Sequence, residues 1–201
     1  MGHPETARKV AAFDFDGTLS RRDCLVPFLV RVAGPWRFVL AMVAEVRRLI
    51  GVGMGRTSRD ELKSAVFGRL LRGRAVEAVE AEGELFAGDI LERRLRAETL
   101  ALIEEHRNRG DELVLVSASL DVYLRHVGAA LGFDGVCAVQ LETRDGVLTG
   151  VMVGGNVRGP AKVARLEEWL GEPLESVELW AYGDSPGDAA LLEAANHPVW
   201  V

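Results

Sequence analysis

The sequence predicts an α/β protein: a mostly parallel sheet flanked by helices, with a helical cap inserted after the first strand. Three observations predict it. Short apolar runs at 10–16, 113–117 and 178–184 each end in polar or turn-forming residues, as buried parallel strands do. Helical patterns alternate with them, at 120–131 and 160–170, the second carrying Val163, Leu166 and Leu170 on one stripe. Between the first two runs lie about a hundred residues of helical character, more than a strand-to-strand crossover needs.

Composition agrees. The 201 residues suit one domain, or a core with a modest insertion, and 48% hydrophobic with 27% charged residues is ordinary for a globular chain. A net charge of −6 argues against broad nucleic-acid binding, which needs a basic face. Cys24 and Cys137 form no metal-binding or redox pair. Residues 1–9 lack the apolar region of a signal peptide, and the longest apolar stretch, 25–50, is broken by Arg31, Gly34, Pro35, Arg37, Glu45, Arg47 and Arg48. A cytoplasmic location is therefore expected.

The elements follow in order. The run at 10–16 is the first strand. In 26–50, Trp36, Val39, Leu40, Val43, Val46 and Ile50 make an apolar helical stripe with Arg37, Arg47 and Arg48 nearby. It is expected to pack as cap core; the alternative is an interfacial helix facing lipid. Residues 51–55, with three glycines, read as a flexible connector. Ser58 and Glu61 have capping-box spacing ahead of Leu62, Val66, Leu70 and Leu71. Helical periodicity continues over 76–85 and 92–109. After the strand at 113–117 and its helix, 142–150 reads as a hairpin turning at Asp145-Gly146. The chain closes with a short strand at 197–201. The expected division is a core of 1–19 and 112–201 and a cap of 20–111.

The chemistry concentrates at strand ends. If the first strand runs to residue 16, side-chain alternation puts Asp14 and Asp16 on one face at its carboxyl end, where open α/β sheets bind ligands. Gly17 allows a sharp turn and is expected to offer backbone N–H groups to an anion. Asp184 closes the third run; Ser185 is placed as a helix N-cap, Pro186 as the first helical residue and Asp188 in the first turn. Like charges about 4 Å apart repel by about 4 kcal/mol at an effective dielectric of 20, so gathered carboxylates call for a proton or a cation. The candidate ligands are all oxygens, which suits a hard divalent ion, Mg²⁺ by preference. Ser117 and Ser119 supply hydroxyls. Lys162 falls in a helix first turn, where the dipole disfavours it, so another partner is expected, such as a phosphoryl group held with Ser117 and the backbone amides after Asp14. The four histidines are scattered and suggest no metal site.

Asp14-Phe15-Asp16-Gly17-Thr18, then Leu115-Val116-Ser117-Ala118-Ser119, then Lys162 at a helix start, then Gly183-Asp184-Ser185-Pro186-Gly187-Asp188, resemble the four ordered motifs of the haloacid dehalogenase superfamily. The long helical stretch after the first motif resembles the cap of its phosphoserine-phosphatase-like branch. The resemblance implies a Rossmann-like core and a Mg²⁺-dependent phosphomonoester hydrolase acting on a small phosphorylated metabolite such as phosphoserine. It implies Asp14 as nucleophile and Asp16 as general acid and base. Asp14, the Asp16 carbonyl, Asp184 and Asp188 would lie in or beside the metal shell, and Gly17, Ser117, Ala118 and Lys162 at the phosphoryl group. Asp23 stands where phosphoserine phosphatases carry a substrate-facing glutamate; it is shorter, and Arg21 or Arg22 could pair with it instead. Gly187 replaces an asparagine of the fourth motif. Some phosphatidylglycerophosphatases resemble the branch and carry an apolar cap, so a lipid phosphate is an alternative substrate and would imply membrane contact. The other rivals are a phosphotransferase and a catalytically silent phosphate-binding protein.

Overall fold

The computed structural model describes residues 8–201. The first strand, β1 (Lys9–Phe13), is the centre of the molecule, and Val10 to Phe13 are wholly buried. Six helices follow: α1 (Leu25–Ala33), α2 (Pro35–Ala44), α3 (Val46–Gly53), α4 (Arg59–Leu70), α5 (Val76–Arg93) and α6 (Ala97–Arg109). Then come β2 (Glu112–Leu120), α7 (Asp121–Ala130), β3 (Gly135–Val139), the hairpin β4 (Leu141–Arg144) and β5 (Val147–Met152), α8 (Pro160–Leu170), β6 (Glu178–Gly183), α9 (Ala189–Ala194) and β7 (His197–Trp200).

The five-stranded sheet has the order β3-β2-β1-β6-β7, with every neighbouring pair parallel. The chain fills one side of β1, then returns to fill the other with β6 and β7. The strand order therefore reverses between β1 and β6, and at such a switch point open α/β sheets bind ligands beyond the carboxyl ends of the strands. Phe13 pairs with Leu115 on one side and Tyr182 on the other, so the residues just beyond Phe13 stand level with the ends of both flanking strands. Phe13 also stacks on Tyr182 at 4.4 Å between ring centroids.

Several expected boundaries move, each for a tertiary reason. The first strand stops at Phe13, not Asp16, because the N–H groups of Thr18, Leu19 and Ser20 all turn back onto the Phe15 carbonyl (3.3, 2.9 and 2.8 Å). Helix α5 runs unbroken through the expected gap at 86–91 and ends three residues before α6. Arg94 to Arg96 leave the helix to meet the linker after β1: Arg21 N–H donates to Arg94 O, and Arg96 N–H to Leu19 O. Ser58 and Glu61 do form the capping box of α4, and the hairpin turns at Asp145-Gly146, both with positive φ.

Within the apolar segment 26–50, Phe28 and Leu29 of α1 join the core, but the stripe from Trp36 to Ile50 is not cap core. The segment folds as three short helices, α1 and α2 meeting at 113° across Gly34-Pro35, and the stripe faces solvent. The opposite face makes the contact with the rest of the protein: Ala41 is the buried residue of α2, with Phe38 and Met42 partly buried beside it, and Gly51 is that of α3. Residues 51–53, read as connector, are the last turn of α3, where Gly51 backs onto Thr57.

Candidate active site

Asp14 is the first residue past β1. Its N–H donates to Tyr182 O at 2.9 Å, which ties the backbone to β6 as the chain leaves the ladder. Lys162 comes from the first turn of α8, where Gly159-Pro160 starts the helix. Its side chain is only 2% exposed, and its Nζ donates to Asp14 Oδ1 and Asp188 Oδ1, each at 2.5 Å. The partners that the structure gives this lysine are a pair of carboxylates, in place of the phosphoryl group expected for it. Asp188 comes from the turn after β6. Its other oxygen, Oδ2, accepts from Ser185 N–H (3.0 Å) and Oγ–H (2.8 Å). These bonds hold Ser185 to Gly187 as a turn, and α9 begins at Ala189, three residues later than the Pro186 start expected.

Asp184 completes the group. Single oxygens of Asp14, Asp184 and Asp188 lie within 4.8 Å of one another, with Asp184 the exposed member. Three ionised carboxylates against one ammonium leave a net charge of −2. Burial pushes the Asp14 carboxyl up to about 7, with Asp188 adding to the rise and Lys162 opposing it. Burial, then Asp188, raises Asp184. Burial also works to raise Asp188, but Lys162 and the Ser185 bonds outweigh it and hold its carboxyl below the usual range. An all-oxygen, net-negative donor set of this kind fits a hard divalent cation and offers nothing to a soft one.

Gly17 serves a different purpose from the one expected. Its N–H is already committed to Ser20 O (3.0 Å), so it is not free for an anion. What the site needs is the missing side chain: φ is 89°, and a methyl group here would lie 2.1 Å from Asp184 Oδ2. The loop is clamped from α6, Arg96 Nη1 donating to Gly17 O (2.6 Å) and Thr99 Oγ1 to Thr18 O (2.7 Å).

Asp14 and Asp16 do not act as one pair of carboxylates on a strand face, because both lie beyond β1. The carboxyl of Asp16 stands outside the Asp14–Asp184–Asp188 group. One oxygen accepts from Cys24 N–H at 2.8 Å and the other from the Ser119 hydroxyl. Burial pushes it up to about 6, against the Ser119 bond that lowers it. Ser117 and Ser119 reach the site because β2 loses its regular pairing with β3 between Val116 and Leu120. Ser117 is buried, and its Oγ accepts from Ser119 N–H at 3.2 Å.

Asp23 is exposed and accepts from Val26 N–H at 2.9 Å, capping the start of α1. Neither Arg21 nor Arg22 pairs with it among the described residues; Arg21 Nε donates to Leu95 O.

One residue here went unread in the sequence. Lys63, on α4, reaches across from the cap and donates to the Ala118 carbonyl, and at 2.8 Å to Asn156 Oδ1. Asn156 in turn donates to Asp60 Oδ1 at 2.6 Å, so α4 is fastened to the core at two points. Burial lowers the Lys63 ammonium to about 8. Its sequence signal is one of three cations on α4, with Arg59 and Arg69, and only docking of the cap shows which way it points.

Comparison with known proteins accords with this arrangement. The chain is 33% identical over 198 residues to Protein CicA of Caulobacter vibrioides, covering 98% of this chain and 86% of that one. It is 36% identical over 98 residues to a phosphoserine phosphatase of Idiomarina loihiensis, covering 47% and 43%. A crystal structure of a protein with unknown function from Bordetella pertussis superposes with a TM-score of 0.77 at 27% identity, over 97% of this chain and 90% of that one. The sequence pattern of the haloacid dehalogenase-like hydrolases matches residues 11–193, so the chain belongs to that family.

Proposed function

We propose that this protein is a Mg²⁺-dependent phosphomonoester hydrolase that works through an aspartyl-phosphate on Asp14 and acts on a small phosphorylated metabolite such as phosphoserine. The observation that carries the reading is the buried Lys162 shared by Asp14 and Asp188, with Asp184 alongside, at the point where the strand order reverses. A phosphoryl dianion needs this balance: enough negative side-chain charge to hold a cation, and one fixed ammonium of its own.

In this reading Asp14 attacks phosphorus, forming the carboxyl oxygen–phosphorus bond as the bond to the leaving alcohol breaks. Asp16, whose carboxyl burial lifts to about 6, gives its proton to the leaving oxygen. It then takes a proton from the water that attacks phosphorus, and Asp14 and inorganic phosphate are released. Ser117, the Ala118 N–H and Lys162 hold the phosphoryl oxygens. Asp14, Asp184 and Asp188, with the Asp16 carbonyl, would hold Mg²⁺, which supplies positive charge against the incoming dianion. Ser119 keeps Asp16 aimed, and Lys63 holds the Ala118 end of β2 from the cap.

The test is Mg²⁺-dependent phosphate release from phosphoserine, histidinol phosphate, sugar phosphates, nucleotides and p-nitrophenyl phosphate. At least one should turn over, and Asp14→Asn should abolish that turnover. Wild-type activity in Asp14→Asn would remove the covalent mechanism. Binding of a phosphate ester without hydrolysis of any would make the protein a phosphate-ligand-binding one.

A further inference from the structure

The first three cap helices carry a face that the reading above does not use. On α2, Trp36, Val39, Leu40 and Val43 follow the i, i+3, i+4, i+7 spacing of a single stripe. That stripe points to solvent, with Trp36 80% and Leu40 66% exposed. On α3, Val46, Leu49 and Ile50 continue it, each about half exposed (45–56%). On α2, Ala41 with Phe38 and Met42 faces the protein, yet four large apolar side chains of the same short helix face water, more than an ordinary surface helix leaves there. Nothing among the described residues covers the stripe. A contiguous apolar face of this kind on a globular protein marks an interaction site.

Charge identifies the occupant. Residues 34–59 hold five arginines and one glutamate, a net +4 within a chain of net −6. The glutamate, Glu45, is buried and already bonded to Arg48 and Arg69. Beside Leu40 a groove of about 770 Å³ opens between α2 and the end of α4, and Arg37, Arg69, Arg72 and Arg74 line it. Of these, Arg37, Arg72 and Arg74 have no acidic partner among the described residues, nor does Arg47 on α3. A second copy of the chain fits poorly, since a two-fold interface centred here would press arginines against arginines. A surface that is apolar within and anionic at its edge fits both features at once.

We propose that the α2–α3 face docks on an anionic lipid bilayer, with the Trp36–Ile50 stripe in the acyl boundary and the groove arginines on lipid phosphates. The helices lie in the membrane plane. At 10 residues, α2 spans about 15 Å, half of the roughly 30 Å hydrocarbon core, and the 113° bend stops α1 from extending it. This docking does not rest on the phosphatase reading.

The experiment is flotation of the full chain with phosphatidylcholine vesicles, with and without phosphatidylglycerol. Binding is expected on the anionic vesicles, weakened roughly tenfold or more on the neutral ones and released by high salt. Leu40→Glu with Val43→Glu should abolish binding, and Arg37→Glu with Arg72→Glu should erase the preference for anionic lipid. All four positions lie off the active site, so thermal melting and soluble phosphate-ester hydrolysis should match wild type and show that the variants fold. Failure of the wild type to float would overturn the proposal. So would equal binding by the variants, or a solution dimer that Leu40→Glu dissociates without any vesicle binding.

Discussion

Lys162→Met tests the electrostatic centre of the site. Methionine keeps most of the lysine stem, so the change removes charge with little loss of volume. The carboxylate oxygens of Asp14 and Asp188 lie no more than 4.8 Å apart. Without the ammonium between them they repel by at least about 3.5 kcal/mol at an effective dielectric of 20. Direct experience with buried pairs that lose one partner gives a similar loss of about 3–5 kcal/mol. For a chain of this size that is a fall in Tm of about 6–20 °C at pH 8. The sign of the pH dependence follows from Asp14. Burial already raises its folded-state carboxyl to about 7, and losing Lys162 raises it further. The folded variant therefore holds a proton that the folded wild type lacks until pH falls to about 7, so its deficit shrinks as pH falls from 8 toward 7 and levels off below that, where both folded proteins are protonated. Mg²⁺ should stabilise the variant more than the wild type, because its site carries one more net negative charge. Thermal unfolding of both proteins across this pH range, with and without Mg²⁺, checks each point. A deficit below about 1 kcal/mol that stays flat with pH would show that Lys162 does not hold these carboxylates together.

Other predictions follow from the neighbouring residues. Asp16→Asn should slow hydrolysis of alkyl phosphates by about 10²–10⁴-fold, yet affect p-nitrophenyl phosphate far less, since nitrophenolate leaves without a proton; equal losses on both would deny Asp16 the role of acid. Gly17→Ala should weaken Mg²⁺ affinity, read by calorimetry, because its methyl would sit 2.1 Å from Asp184 Oδ2; unchanged affinity would place Asp184 outside the cation shell. Lys63 loses its charge as pH rises through about 8, so KM should climb above that pH in the wild type. In Lys63→Met, KM should be raised throughout and that pH-dependent limb should vanish; its persistence would assign the limb to another group.

Much of the site is legible in the sequence because its parts sit at strand ends. Each apolar run specifies a buried strand, and the residue that stops the run is carried to the rim of the sheet. Asp14, Ser117 and Asp184 are legible for that reason, and Lys162 because a lysine in a helix first turn is out of place unless it has an anionic partner. The sequence does not say what those partners are. Asp14 and Asp188 are 148 and 26 residues away from Lys162, and only the parallel register of β1 and β6 brings them to one ammonium. Alternation along a strand misreads Asp16, because backbone bonds to Phe15 O end the strand first.

By itself, the sequence determined the α/β class, the place of the helical insertion and the strand ends that bear acids, since periodicity and chain order are local properties. Tertiary structure alone decided how charges share partners, which way Lys63 turns, why α5 stops at Arg93, and that the Trp36–Ile50 stripe faces outward. The physical reason is that an amphipathic pattern shows that a helix has an apolar face, and what that face meets depends on the space its neighbours leave. Here Ala41 and Gly51, with Phe38 and Met42 beside Ala41, fill that space, and the side chains of the stripe remain outside.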